Sequence, residues 1–369
     1  MRGMGRFRAW TYAAGFALLA LPAMAAPTYT VTDLGTLGGT NSQGYGINAS
    51  GQVTGWSQTT GNVAPHAFIY NGSTMQDLGT LGGSNSYGFS INASGQVTGY
   101  ASTSGGIYRA FRYSGTTMQD LGTLGGADSY GLGINASGHV TGEARTSGGG
   151  YQGFLHNGST MQDLGTFGGT MSQGRSVNAS GHITGYASTS GGADHAFLYN
   201  GSTMQDLGTL GGTNSYGYAI NVSGQVTGEA KITGDTAKHA FFYDGSSMQD
   251  LGTLGGTDSR GMGVNASGQV TGWAQTTGNA ANHAFLFDGA TMLDLNTLVA
   301  ATDPLFGLIT LTDATAINDI GQIVANSGSR AYLLTPVAET PAPEPATLAL
   351  LAVGALSVAG IRRRRQTAT

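Results

Sequence analysis

Apolar residues in this chain come in short bursts. Between Tyr29 and Leu334, runs of five to seven residues rich in Val, Ile, Phe, Tyr and Thr alternate with clusters of Gly, Asn, Ser and Asp. Such runs, closed off by turn-forming residues, predict strands. The Gly clusters also argue against long helices, since each interior Gly costs roughly 1 kcal/mol relative to Ala. Most runs are apolar throughout rather than alternating, which suits sheets packed through both faces.

The pattern then repeats. Asp-Leu-Gly recurs at Asp33, Asp77, Asp120, Asp163, Asp206 and Asp250, with a degenerate seventh copy at Asp294; the spacings are 44, 43, 43, 43, 44 and 44 residues. An Asn-Ala-Ser-Gly motif follows each copy, at Asn48, Asn92, Asn135, Asn178 and Asn265, with Val in second place at Asn221 and a more altered copy at Asn318. A third motif reads His66-Ala67-Phe68 and returns at Arg109, Gln152, His195, His239, His283 and Arg330.

Each unit predicts four strands, for example Ser86 to Asn92, Gln96 to Ala101, His195 to Tyr199 and Thr203 to Leu207. Asn-Ala-Ser-Gly joins the first two in a tight turn, and Asn200-Gly201-Ser202 joins the last two. Gly208 to Gly212 predicts a Gly-rich crossover to the next unit.

Four strands in about 43 residues fit one blade of a β-propeller. Phase decides how the ring closes. The repeat region begins with a lone fourth strand, Tyr29 to Leu34, and ends with a lone third strand, Arg330 to Leu334. The first can complete the last blade and remove the free edges. The expectation is an all-β, closed seven-bladed propeller. The alternative is an open β-solenoid, which would carry atypical caps at its ends. Only the last unit departs, with nine extra residues within Val299 to Thr312.

Composition narrows the chemistry. Gly contributes 64 of 369 residues, but not at every third position, so a collagen helix is excluded. Cys is absent, which excludes a disulfide framework, a thiolate zinc site and a cysteine nucleophile.

Both ends read as addresses. Arg2, Arg6 and Arg8, an apolar run from Ala9 to Leu21, and Ala23-Met24-Ala25 make a secretory signal helix, cut at Ala25 or Ala26. At the other end, Pro343-Glu344-Pro345 leads into an apolar run from Ala346 to Ile361 and then Arg362, Arg363, Arg364 and Arg365. That order predicts a transmembrane helix with the Arg cluster cytoplasmic. The expected divisions are a signal peptide at 1–25, the repeats at 26–336, a Pro-rich linker at 337–345 and the membrane segment at 346–369.

This C-terminus resembles the PEP-CTERM sorting signal of Gram-negative bacteria. The resemblance implies export by the Sec machinery, transient inner-membrane anchoring, processing by an exosortase, and a final place at the cell surface or outside it. Without both ends the chain keeps 8 basic against 20 acidic residues, a net of −12. That excludes nucleic acid as a partner, because phosphate binding needs a basic patch.

The repeats resemble the HAF extracellular repeat family. The pattern is His-Ala-Phe-Leu-Tyr-Asn-Gly at 195–201, then Asp-Leu-Gly-Thr-Leu-Gly-Gly at 206–212, and Ile-Asn-Ala-Ser-Gly-Gln-Val-Thr-Gly at 91–99. The resemblance implies an exported matrix or surface protein and brings no catalytic residues.

No catalytic, cofactor or metal site is expected. Each unit supplies one Asp followed by Leu, which reads as an acceptor for turn N–H groups rather than a calcium ligand set. The repeated His reads as a polar donor flanking a strand. His139 and His182 stand where other units have Gln, which predicts drift at an exposed turn; His156 replaces a Tyr. The Asn-Ala-Ser sequons read as turns. The segments 57–64, 102–108, 145–151, 231–238 and 275–282 vary between units, and all should project from one rim. They suit weak, multivalent binding, with exopolysaccharide the candidate ligand. A glycan-degrading propeller enzyme is the alternative, and its unit-specific candidates are Glu143, Asp194, Glu229 and Asp235. A purely structural secreted repeat is the third reading.

Overall fold

The computed structural model describes residues 27–338. They form seven four-stranded antiparallel sheets and no α-helix. The expected signal helix and C-terminal transmembrane helix lie outside the described residues, as do both sets of processing residues. Among the described residues no helix is long and apolar enough to cross a membrane.

One blade stands for the six regular ones. Gly82–Ile91 is its first strand, Val97–Thr103 the second, Tyr108–Tyr113 the third and Met118–Asp120 the fourth, paired in that order. The first strand begins four residues before the expected Ser86. Gly82 and Gly83 are its bulged entry, with a register shift before Ser86 pairs Ala101. Gly82 sits at φ 94°, a conformation that favours Gly. The crossover is correspondingly shorter than expected, Gly208 to Leu210 in the fifth blade.

Gly also lets strands converge inside a blade. A Cβ at Gly99 would collide with the Tyr87 carbonyl oxygen, and the equivalent glycines in the other regular blades meet the same obstacle. Only a hydrogen fits there, which explains why Val-Thr-Gly recurs as a unit.

The seventh blade closes the ring. Tyr29–Asp33 pairs antiparallel with Arg330–Pro336, from Tyr29 opposite Pro336 to Asp33 opposite Tyr332. An open solenoid is therefore excluded. The nine extra residues of the last unit clamp this N-terminal strand. The Tyr29 N–H donates to Leu298, the Ala300 N–H to Tyr29, and the Val31 N–H to Asp303 Oδ2 at 2.7 Å. Tyr29, Leu295, Leu298, Val299 and Leu311 share one buried cluster.

The core lies between blades. Each of seven apolar clusters spans neighbouring sheets, for example Ala67 and Ile69 of the first blade with Ile91, Val97 and Phe111 of the second. Phe68, Phe111, Phe154, Phe197, Phe241 and Phe285 are fully buried. Emptying one such site costs roughly 3–5 kcal/mol.

Candidate functional site

The channel has two ends built by different rules. At one end lie the Asn-Ala-Ser-Gly turns. The Asn135 side-chain carbonyl accepts the backbone N–H of Ser137 and of His139, which holds the turn. Its Nδ2 donates to the Asn178 carbonyl of the next blade. The same bond runs from Asn48 to Asn92, Asn92 to Asn135, Asn178 to Asn221, Asn221 to Asn265, Asn265 to Asn318, and Asn318 back to Asn48, at 2.9 to 3.4 Å. Seven Asn thus close a hydrogen-bonded circle. All seven are buried, so the sequon Asn side chains among them are withdrawn from modification.

In five units the Asn also donates to a Gln four residues on, as Asn92 does to Gln96 at 2.8 Å. His139 and His182 take that Gln position. They are half-buried rather than exposed, so drift at an exposed turn is corrected.

A second seam joins blades. Ser129 Oγ accepts the Ala110 N–H of the preceding blade at 2.9 Å and donates to Gly122. Ser86, Ser215 and Ser259 repeat both bonds, and each Ser is fully buried. The sequence alone did not single out this Ser, although it stands at one place in every regular unit.

The other end is not uniform. Inward positions on the first strands carry Tyr45, Phe89, Leu132, Arg175, Tyr218 and Met262, which line the channel. Beside them, second-strand positions carry Trp56, Tyr100, Glu143, Tyr186, Glu229 and Trp273, each half-buried or buried. On one side these make an aromatic wall. Tyr45 stacks on Phe89 with centroids 4.9 Å apart, and Phe89 stacks on Tyr100 at 5.4 Å. Tyr100 meets Tyr130 edge-on at 5.0 Å. Burial pushes the Tyr130 hydroxyl up to about 12, with nearby carboxylates adding to it.

On the other side the wall is charged. Glu229 is buried and chelated by Arg260, at 2.8 and 3.0 Å, with Lys238 at 3.2 Å. The Arg260 and Arg175 guanidinium groups lie over the Tyr218 ring at 5.0 and 5.1 Å. Asp194 Oδ2 accepts from the Tyr216 hydroxyl. Burial pushes the Glu143 carboxyl up, and Gln173 and Arg175 pull it partly back. A cavity of about 390 Å³ opens here.

The four unit-specific acids therefore part company. Glu143, Asp194 and Glu229 belong to the charged wall. Asp235 does not: it is exposed at φ 56°, and its carboxylate accepts the Thr213 N–H at 2.8 Å as Asn62 and Asn279 do for Thr40 and Thr257. The expected binding loops do leave from this end, since second-to-third loops lie opposite the Asn turns. The wall itself comes from strands: Tyr108, Tyr151, Lys231 and Lys238, which fall in the variable segments, all sit at strand ends. Comparing the units position by position would have found it, because chemistry changes at these strand positions while their neighbours stay fixed.

The repeated His and Asp pair on the outer edge. His66 Nδ1 meets Asp77 at 2.8 Å, and His195, His239 and His283 repeat the contact with Asp206, Asp250 and Asp294. Arg330 holds Asp33 in the same way. Each of these Asp also accepts a turn N–H two residues on, as expected. Among the described residues no group of three or more His, Asp or Glu could hold a metal.

Residues 341–365 match the PEP-CTERM protein-sorting motif. The motif contains Pro343, Glu344, Pro345 and the Arg cluster, and it indicates an exported protein. No match was found among curated proteins. Solved structures of similar fold include a puromycin-hydrolyzing peptidase of Mycobacterium tuberculosis, at 10% identity and a TM-score of 0.52 over 87% of this chain. This chain spans 57% of that peptidase. The β-propeller domain of the Trilobed protease from Pyrococcus furiosus is similar over 72% of this chain and 83% of its own, at 9% identity and a TM-score of 0.49. A streptogramin B lyase is similar over 84% and 98%, at 11% identity and a TM-score of 0.47. At such identities the likeness is one of fold alone.

Proposed function

We propose that this chain is an exported, non-enzymatic HAF-type propeller that holds exopolysaccharide in the channel mouth opposite the Asn turns, after an exosortase has acted on its sorting motif. The observation that carries this reading is the confinement of unit-specific aromatic and charged side chains to one channel end. Aromatic rings with a few placed polar groups are the usual lining of ligand sites. Two of the carboxylates a glycan-cleaving enzyme would use are engaged: Glu229 is neutralised by Arg260 and Lys238, and Asp194 accepts from Ser188 at 2.6 Å and from Tyr216.

The chain ends add a direction. The Val337 N–H donates to the Thr28 carbonyl at 2.8 Å, and Pro336 packs against Gly321 of the Asn318 turn. Both ends therefore leave from the Asn-ring face. An anchored chain would turn that face to the membrane and the mouth outward.

Residues 27–338 contain every strand pair, and the N-terminal strand completes the last blade, so this segment serves for the test. It should bind extracellular polysaccharides on an array without releasing reducing ends. Release of reducing ends would contradict the non-enzymatic reading. An exported protein retaining Arg362 to Arg365 by mass spectrometry would contradict the processing step.

A further inference from the structure

The charged side of the mouth has a chemistry of its own. Four of the eight basic residues outside the two terminal segments converge there: Arg175, Lys231, Lys238 and Arg260. This is unexpected in a region with 20 acidic residues. The pairing of the charges sharpens the contrast. Glu229 is satisfied by Arg260 and Lys238. Arg175 and Lys231 line the same cavity and form no ion pair among the described residues. The Arg175 Nε is buried without a hydrogen-bond partner. Lys231 Nζ reaches only the Asp235 carbonyl, at 3.3 Å. Burial raises the pKa of Glu143, the acid of this wall that Arg175 acts on, and Arg175 offsets only part of that rise.

An unpaired buried donor is costly, and with Nε closed off from solvent an acceptor in the cavity would meet the guanidinium through its terminal nitrogens. The guanidinium fork matches a carboxylate in geometry. Tyr186 and Tyr216 meet edge-on at 5.0 Å and supply an apolar wall beside it. The cavity, about 390 Å³, is within the range of roughly 300–1,000 Å³ typical of small-ligand sites.

We propose that this corner, formed by Arg175, Tyr186, Tyr216, Tyr218, Lys231 and Lys238, binds the carboxylate of an acidic sugar, so that the polymer held in the mouth is a uronate-bearing polysaccharide. Arg175 takes the carboxylate, Lys231 adds a second positive charge, and the Tyr186–Tyr216 wall packs on the sugar ring. This rests on the polysaccharide reading above and specifies its ligand class.

The test uses residues 27–338 and three probes: polygalacturonate, its fully methyl-esterified form, and neutral dextran. The methyl ester keeps the backbone and removes the charge. Polygalacturonate should bind, more weakly as salt is raised, and the methyl ester should bind at least tenfold more weakly. Arg175→Gln should lose about tenfold in affinity for polygalacturonate, the size expected for a charge-assisted hydrogen bond. Arg175→Lys should recover part of that loss, and both variants should melt like the parent. Equal binding of polygalacturonate and its ester, or binding of dextran alone, would overturn this inference and leave the polysaccharide reading standing. Binding of no polysaccharide at all would overturn both. Unchanged affinity in Arg175→Gln would remove Arg175 from the site.

Discussion

The two ends of one channel are made from the same seven units, yet they differ in kind. At the Asn-turn end every unit contributes the same Asn, bonded to its own turn and to the next blade. Further along the channel the first-strand position offers Tyr45, Phe89, Leu132, Arg175, Tyr218 and Met262 in turn. Repetition marks positions where every blade must solve the same closure problem. Variation marks positions free of that problem, where individual chemistry can accumulate. Symmetry in this chain is therefore a sign of structure, and broken symmetry a sign of function.

That division can be broken by experiment. Deleting residues 27–34 should have the largest effect. It strips the outer strand from the last blade and uncovers Leu298 and Val299, so cooperative melting should be lost and aggregation should appear in size-exclusion chromatography. Asn221→Ala should come next. It leaves the Ser223 and Gln225 N–H groups and the Asn265 carbonyl without their partner. A cost of about 3 kcal/mol should lower Tm by about 4–5 °C, while polysaccharide affinity of the folded protein stays unchanged. Tyr216→Ala should do the reverse: affinity falls about tenfold, and Tm barely moves.

Glu143→Gln should show the smallest effect and sharpen the contrast by its pH dependence. Burial holds the folded Glu143 pKa above its unfolded value. The associated stability is present below the unfolded value and lost as pH rises through the folded one. The amide should therefore raise Tm by about 1–2 °C at pH 7, with the gain vanishing near pH 4. A gain that persists in acid would mean that desolvation of this carboxyl is not what strains the mouth.

Much of the fold was legible because closure depends on local, repeated signals. The lone strand at Tyr29 and the unpaired strand at Arg330 were enough to announce the seventh blade. The turn Asn was legible as a turn former, but not as a link between blades, because its donor reaches a carbonyl 43 or 44 residues away in regular units. The buried Ser129 was invisible for the same reason. The candidate site was only partly legible. Loops drew attention because their residues vary between units, whereas Tyr100, Arg175 and Glu229 vary within strands whose neighbours are fixed. Glu229 was singled out as an acid, but its neutralisation by Arg260 from the next blade required the ring to be closed. The last unit's extra residues read as irregularity; in three dimensions Asp303 and Leu298 hold the N-terminal strand.

Hydrogen exchange by mass spectrometry, with and without polygalacturonate, tests the central division most directly. Protection is expected in residues 184–188, 214–218 and 229–238, and none in the turns at 92–96, 135–139 and 221–225. Protection confined to the Asn turns, with the mouth unchanged, would contradict it.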